Sequence, residues 1–247
     1  MTKLCNLYRL QSFNNMLLFL NHFSGINIME LFLIIVLAAI IAIILIFSLS
    51  SKSTSEYGHY SQLDEISERE IIESGIEGEN RAANLLSYLS DSYTIIHNVV
   101  IYYDGRKSEI DNVVIGNTGV FIIEVKNHKG YINGDCQEQE WMQRKIGKGG
   151  NEYSKEFYNP TKQVATHIYR LKHILLQNNI RTYISGAVYF ANPEVIVNTV
   201  NSREDIPVFQ YRNRIELLNY ILDGKEKLTE TQVKRIIEVI TESNVNR

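Results

Sequence analysis

The stretch that most constrains the fold is residues 109–126, where two runs rich in β-branched side chains are joined by Gly-Asn-Thr-Gly. Such runs on either side of a Gly/Asn turn are typical of an antiparallel hairpin. A loop symmetric about residues 117–118 places Ile115 opposite Val120. The sequence therefore predicts two paired strands in a fixed register.

Charged residues interrupt the apolar pattern of this hairpin. The register places Asp111 opposite Glu124, and Lys126 shares the face of Glu124 because side chains alternate along a strand. The apolar side chains expected on the other face are Ile110, Val114, Phe121, Ile123 and Val125. Opposed carboxylates about 5 Å apart repel each other unless a cation lies between them. The pattern predicts a divalent cation here.

An Asp followed by Glu-x-Lys on the neighbouring strand suits phosphodiester hydrolysis by a metal-activated water. The carboxylates of Asp111 and Glu124 are ligands that Mg²⁺ prefers, and the metal makes hydroxide available near neutral pH. The ammonium of Lys126 can orient this nucleophile or stabilise the transition-state charge. A solvated ion pair is the alternative interpretation of Glu-x-Lys on a strand.

A helix is predicted over residues 67–89, where Ser67 and Glu70 form a capping box. Its expected buried stripe contains Ile72, Ile76, Ala83 and Leu86. Glu79 falls on the same stripe, where an unpaired carboxylate is costly. It must reach solvent, pair with a cation, or help to bind a metal.

The remaining pattern predicts an α/β domain with a mixed sheet. A strand is expected over residues 94–103, a tight turn at residues 133–135, a loop over residues 147–159, and a helix that Asn159 caps before Pro160. Further strands and two closing helices follow. The four histidines of this part lack zinc-ligand spacing and are interpreted as structural or surface residues: His97, His128, His167 and His173.

Residues 31–47 are seventeen consecutive residues without a charge, Gly or Pro. About 17 to 20 such residues cross the hydrocarbon of a bilayer. A cleaved signal peptide has a shorter apolar core, and a soluble helix this apolar would need protein on every side. The sequence predicts a single transmembrane helix over residues 29–50, in contact with lipid through residues 31–49.

The expected organisation follows from this span. Residues 1–28 are unassigned, residues 51–66 form a linker, and residues 67–247 form the large domain. Lys52 and Arg69 follow the span with no basic residue equally close before it, and the chain's two cysteines give no disulfide framework. These features favour a cytoplasmic location for the large domain.

The charge distribution is uneven. The whole chain has a net charge of −3, which excludes a global basic footprint, but residues 142–172 hold seven Lys/Arg against two Glu. That segment could face a polyanion. A solvated protein surface is the alternative interpretation.

The order helix, strand, hairpin, helix around these charges resembles the PD-(D/E)xK restriction-endonuclease-like fold. More closely, the chain resembles the nuclease-related domain family over a motif-bearing core of about residues 70–190. The segments that carry the resemblance are residues 75–79, 109–111, 119–127 and 159–163, together with Gly130, Gly134 and Trp141.

The resemblance implies a restriction-endonuclease-like mixed central sheet flanked by helices. It implies that Glu79, Asp111 and Glu124 bind Mg²⁺ or Mn²⁺, that Lys126 acts at the nucleophile, and that Gln163 supports the site. Glu109 and Asn112 depart from the family's usual Gln and His.

Two functions remain open at this stage. The first is a membrane-anchored, metal-dependent nuclease, with DNA favoured over RNA as its substrate. The second is a catalytically inactive module of the same fold that binds nucleic acid or a protein partner at the membrane. No particular protein partner is indicated.

Overall fold

The structure, a computed structural model, describes residues 40–41, 69–146 and 150–245. The predicted transmembrane helix lies outside the described residues except for Ile40 and Ile41, and the predicted N-terminal segment and linker lie wholly outside them. Within the described ranges, no helix is both long enough and apolar enough to cross a membrane.

Arg69–Arg247 forms one compact unit. The described part of its first helix, α1, covers residues 69–86. The strands are β1 Thr94–Tyr103, β2 Arg106–Gly116, β3 Gly119–Lys126, β4 Gly130–Asp135, β5 Glu140–Ile146, β6 Glu152–Tyr158, β7 Ile184–Phe190, β8 Val195–Val200 and β9 Val208–Gln210. The later α-helices are α2 Pro160–Gln177, α3 Arg214–Leu222 and α4 Glu230–Ser243.

The strands form two mixed sheets. The first sheet has the order β1-β2-β3-β7-β9 and the second has the order β6-β5-β4-β8. Strand β7 is parallel to β3 and β9, and β8 is parallel to β4, whereas the remaining pairs are antiparallel. The architecture is mixed α/β and is compatible with a restriction-endonuclease-like fold. The predicted central sheet is thus accompanied by a second sheet.

Helices cover both faces of the first sheet. Buried side chains of α2 and α4 pack on one face, and those of α1 and α3 pack on the other. The second sheet joins the α2 side of the core, where Trp141 of β5 stacks on Phe190 of β7 with ring centroids 6.3 Å apart. Burial of such aromatic pairs is a large contribution to core stability.

Most predicted elements are confirmed. The first strand is β1, the hairpin is β2 and β3, and Ile115 pairs with Val120 as the turn symmetry requires. Helix α2 begins at Pro160, and the side chain of Asn159 accepts a hydrogen bond from the Thr161 amide as an N-cap.

The predicted turn at residues 133–135 is wrong, because β4 continues through it. Gly134 serves close packing instead: a Cβ there would lie 2.3 Å from a ring atom of Trp141. A glycine in a strand can mark close approach of another group as well as a turn. Here it makes room for the indole.

The predicted loop over residues 147–159 is also wrong at its C-terminal end. Residues 152–158 form β6, which pairs antiparallel with β5. Almost every side chain of β6 is exposed. A strand with so little burial shows no alternation of apolar and polar residues in the sequence. Its extended conformation is stabilised mainly by pairing with β5.

Candidate active site

The site forms where regular pairing between β2 and β3 ends. The last pair of this ladder is Asn112 with Ile123, one step before the predicted pair of Asp111 and Glu124. Beyond it, the Val125 amide donates a hydrogen bond of 2.7 Å to Asp111 Oδ2. The side chain of Asp111 therefore replaces the backbone carbonyl as the acceptor of the Val125 amide, and this hydrogen bond fixes Asp111 beside β3.

An irregularity in β1 and β2 accompanies this arrangement. The β1–β2 register passes from His97 with Asn112 to Val99 with Ile110, and Asn98 between them has a φ of +52°. Ile110 packs in the α2 side of the core, so its predicted position on the face opposite Glu124 is wrong. Strict alternation in β2 therefore ends between Asn112 and Ile110, at Asp111, across from Asn98 of β1.

Glu124 is a buried charge with two basic neighbours. Its side chain is 1% exposed, its Oε1 accepts a hydrogen bond of 2.7 Å from Lys126 Nζ, and its Oε2 lies 3.5 Å from His167 Nε2. Burial alone would raise its pKa, but the contacts with His167 and Lys126 outweigh burial and hold the pKa of Glu124 below its usual value. Glu124 is therefore ionised at neutral pH.

Asp111 has the opposite behaviour. Burial, and then the negative charge of Glu124, raise its pKa to about 7 despite the Val125 hydrogen bond and the charge of Lys126. Glu79 adds to the rise, so its carboxylate is close enough to act on Asp111. The two central carboxyls thus differ in charge at neutral pH, and a cation would favour the ionised form of both.

Gln163 reaches the site from α2. Its Oε1 accepts a hydrogen bond of 3.1 Å from Lys126 Nζ. The start of α2 is fixed by buried Asn159, whose Nδ2 donates to the carbonyls of Asp135, Cys136 and Glu138 in the β4–β5 connection. The Asn-Pro helix start therefore places Gln163 against Lys126, in the site that the family resemblance implies it supports.

Helix α1 is tied to the site through Asn127, the residue after Lys126. Asn127 Nδ2 donates to the carbonyl oxygen of Ser74 at 2.6 Å, and its Oδ1 accepts from Arg81 at 2.9 Å. A Cβ on Gly78 would lie 2.7 Å from Asn127 Cβ, so only glycine permits this approach without a shift. The contact holds the end of β3 and α1 together.

The predicted buried stripe of α1 is confirmed at Leu86 and wrong in the N-terminal half of the helix. Ile72 and Ile76 are 61% and 51% exposed. The buried residues of this helix are Gly78, Ala82, Leu85 and Leu86. The helix meets the sheet only from Gly78 onward, so the stripe is rotated, and Glu79 is exposed at its border, with Oε2 3.4 Å from Asn98 Nδ2.

The donor set fits a metal held mainly by two carboxylates. In the part of the chain that the structure describes, no three His, Cys, Asp or Glu side chains are arranged to hold one ion. Mg²⁺, however, is commonly held by one or two carboxylates together with water and substrate phosphate. Among the described residues, buried Glu124 Oε2 has no hydrogen-bond partner and has His167 Nε2 3.5 Å away, and the charge of Glu124 acts on Asp111. Glu79 as a third ligand stays a prediction.

The chain is similar to known proteins over the part that carries the site. A family model for the nuclease-related domain matches residues 74–191. An uncharacterized protein of Bacillus anthracis is 30% identical over 173 residues, which cover 69% of this chain and 77% of that protein.

The chain belongs to the nuclease-related domain family. The residues matched by the family model run from α1 to the residue after β7, and they include all five predicted site residues. The irregularity of β2 at Asp111, the turn of α2 at Gln163 and the α1 contact with Asn127 therefore all belong to the nuclease-related domain.

His167 is a residue of this domain that the sequence analysis missed. It is 5% exposed, it approaches Glu124, and neither ring nitrogen has a hydrogen-bond partner among the described residues. The signal was its position four residues after Gln163, which places both side chains on one face of α2. The other three histidines pair elsewhere: His97 with Asn112, His128 with Gln143 and His173 with the Tyr169 carbonyl.

Proposed function

We propose that the protein is a metal-dependent nuclease that hydrolyses phosphodiester bonds, with DNA favoured over RNA and Mg²⁺ or Mn²⁺ as cofactor. The observation that carries this proposal is the convergence of Asp111, Glu124, Lys126 and Gln163 at one strand end, where Glu124 Oε2 is buried and unpartnered. A purely structural role leaves this buried, repelling pair of carboxyls without a purpose.

The two carboxyls have distinct roles in this proposal. Glu124 holds Lys126 through Oε1, and its Oε2 would be free to hold the metal. Asp111 would contribute the second carboxylate after it loses its proton. The metal would supply a hydroxide-like water near neutral pH and neutralise charge on the phosphate. Glu79 would complete the ligand shell from α1.

Lys126 acts on the nucleophile or on the phosphate, because its ammonium has no lone pair to offer a metal. Its hydrogen bonds to Glu124 and Gln163 fix the direction of Nζ. A donor that is already oriented stabilises developing negative charge without reorganisation. Gln163 is thus a positioning residue that acts through Lys126.

The direct test is incubation of the full-length chain with plasmid DNA, linear DNA and RNA in Mg²⁺, Mn²⁺ or EDTA. We expect cleavage with either metal, none with EDTA, and none with Glu124→Gln. Metal-dependent nucleic-acid binding without any cleavage would instead establish the inactive binding module.

We also propose, on the sequence alone, that residues 29–50 anchor the protein as a single-pass membrane protein, through lipid contact of residues 31–49, with the nuclease-related domain in the cytoplasm. The basis is the uninterrupted apolar run and the flanking Lys52 and Arg69. The chain should remain in membranes washed with alkaline carbonate, and protease added to intact cells should leave the domain uncut. Recovery in the soluble fraction would contradict the anchor.

A further inference from the structure

The β5–β6 hairpin has two faces of different charge. The pairs Trp141 with Phe157, Gln143 with Lys155 and Lys145 with Tyr153 place these six side chains on one face, because alternate residues share a face. That face contains no acidic residue. The other face of the hairpin carries Glu140, Arg144, Glu152 and Glu156. Arg144 forms an ion pair with Glu152, with an N–O distance of 2.9 Å.

Lys129, Lys145 and Lys155 form a cluster that we call the lysine face. Partial burial, and then the charges of Lys129 and Lys155, hold the pKa of Lys145 below its usual value. In the described ranges, none of these three lysines forms an ion pair with a carboxylate. Like charges gathered without a counter-charge favour binding of an anion.

His128 connects the lysine face to the active site. Its ring stacks on Phe157 with centroids 4.3 Å apart, and its Nδ1 lies 3.0 Å from Gln143 Oε1. Burial, and then Lys126, Lys145 and Lys155, hold the pKa of His128 below its usual value. His128 follows Lys126 by two residues and contacts Phe157 and Gln143 of the hairpin, so the hairpin that carries the lysine face is continuous with the strand end that carries the active site.

An aromatic residue lies within the same surface. Tyr153 pairs with Lys145 across the hairpin and is 55% exposed. Basic grooves with exposed aromatic side chains are typical of surfaces that bind single-stranded nucleic acid, because the lysines contact phosphates and the ring stacks on a base.

We propose that the lysine face binds the sugar-phosphate backbone of the nucleic-acid strand that enters the active site, and that Tyr153 stacks on an unpaired base of that strand. This proposal rests on the proposed nuclease function and adds the direction of approach, over β5 and β6. The anionic headgroups of a membrane are the competing ligand, and continuity with Lys126 favours the nucleic acid.

The test measures binding by the full-length chain in EDTA, where no metal-dependent cleavage occurs, to fluorescent single-stranded and duplex DNA of 30 nucleotides. We expect Lys145→Gln with Lys155→Gln to weaken binding of single strands about tenfold near 0.15 M salt. The slope of log affinity against log salt should fall by about 1.4, from about 0.7 for each lost phosphate contact. Tyr153→Ala should weaken single strands about fivefold or more and duplex less.

Arg144→Gln is the matched control, because it removes one positive charge from the same hairpin on the opposite face. It should leave the affinity within about twofold. Lys129→Gln and Lys155→Gln, both at exposed positions, repeat the test without disturbing the partly buried Lys145. The unfolding midpoint of each variant identifies any loss that comes from misfolding.

The proposal is overturned if the parent does not bind DNA, if the lysine variants bind as the parent does, or if Arg144→Gln has an equal effect. It is also overturned if the lysine variants lose binding only to phosphatidylserine vesicles. Hydrolysis of bis-(p-nitrophenyl) phosphate with Mn²⁺ separates the two proposals: the lysine variants should retain it. If the parent neither hydrolyses this ester nor cleaves DNA with Mg²⁺ or Mn²⁺ while the DNA-binding difference persists, the lysine face stands and the nuclease function fails.

Discussion

At neutral pH, the two central carboxyls of the site hold different charges. Glu124, which lies between Lys126 and His167, is ionised. Asp111 has a pKa of about 7 and is therefore only partly ionised. A cation that binds both must displace the proton of Asp111, so metal affinity should increase as the pH rises through about 7. The arrangement limits repulsion between the two carboxyls in the metal-free protein, and a bound cation would reverse it.

The first prediction concerns Asp111→Asn, which can keep the hydrogen bond from the Val125 amide while removing the charge. Because the folded-state pKa of about 7 exceeds the ordinary aspartate pKa of 3.8, Asp111 stabilises the fold fully below pH 3.8, and this stabilisation is lost as the pH rises to about 7. At pH 8 without metal, the variant should be roughly 2–4 kcal/mol more stable than the parent. Urea unfolding at pH 4 and pH 8 measures the difference, which should nearly vanish at pH 4.

The second prediction separates Lys126 from Glu79. Lys126→Met should lower the single-turnover rate about 100-fold or more and keep Mn²⁺ binding, because it removes a donor and no ligand. Glu79→Gln should weaken Mn²⁺ binding about tenfold and retain turnover at high Mg²⁺. Calorimetric titration with Mn²⁺ checks both. Loss of metal binding in a folded Lys126→Met variant would refute this division of roles.

The sequence predicted the positions of four site residues and missed one neighbour. Asp111, Glu124 and Lys126 meet because the hairpin register, a local signal, fixes them. Gln163 was predicted from the family resemblance, and the helix cap at Asn159 fixes its position. His167 escaped because burial near a carboxylate depends on how α2 packs on the sheet. A histidine that has no second histidine at zinc-ligand spacing gives no indication in the sequence of how it packs.

At the scale of elements, α1 depends on one residue of the site. Asn127 joins the end of β3 to Ser74 and Arg81, and Gly78 allows the helix to approach. The N-terminal half of the described helix has little buried surface of its own. Its position near Asp111 therefore depends on polar contacts rather than on the core.

The third prediction is that Asn127→Ala loosens α1 without unfolding the sheets. The lost hydrogen bonds leave Ser74 and Arg81 without this partner and should cost about 1–3 kcal/mol locally. Hydrogen exchange of the amides in residues 74–86 should accelerate about 5- to 100-fold, while β3 and β7 keep their protection. The exposed Asn84→Ala on the same helix is the control, and equal acceleration there would contradict the role of Asn127.

The elements that the sequence missed share one physical cause. Gly134 and its neighbours resemble a turn, but the Trp141 ring lies over Gly134 and keeps β4 extended. Strand β6 is ordered by its pairing with β5 rather than by burial. Tertiary contacts decide both cases, whereas the apolar strands β1 to β3 were predicted because their own side chains form the core.

At the scale of the whole domain, one core joins the two sheets. Ile132 and Trp141 of the second sheet and Val120, Ile122 and Phe190 of the first belong to the same buried cluster. Part of the buried apolar surface of each sheet is covered by side chains of the other sheet. The lysine face and the active site are therefore held on one cooperative unit, so their relative position should not depend on ligand.

The fourth prediction tests this unity through Trp141, which is the single tryptophan of the chain. Its emission reports the second sheet, and exchange of β2 and β3 amides reports the first, so urea midpoints of the two signals should coincide if the shared core unfolds at once. Phe190→Ala should remove the stacked partner of Trp141 and lower the free energy of unfolding by about 3–5 kcal/mol, with both midpoints shifted together. Phe190→Leu, a smaller change, should shift both midpoints in the same direction. Exposed Ile146→Ala should change the free energy of unfolding by less than about 0.5 kcal/mol.

If Trp141 emission changed at low urea while β2 and β3 remained protected, the second sheet would be an independent unit, and the lysine face could move relative to the site.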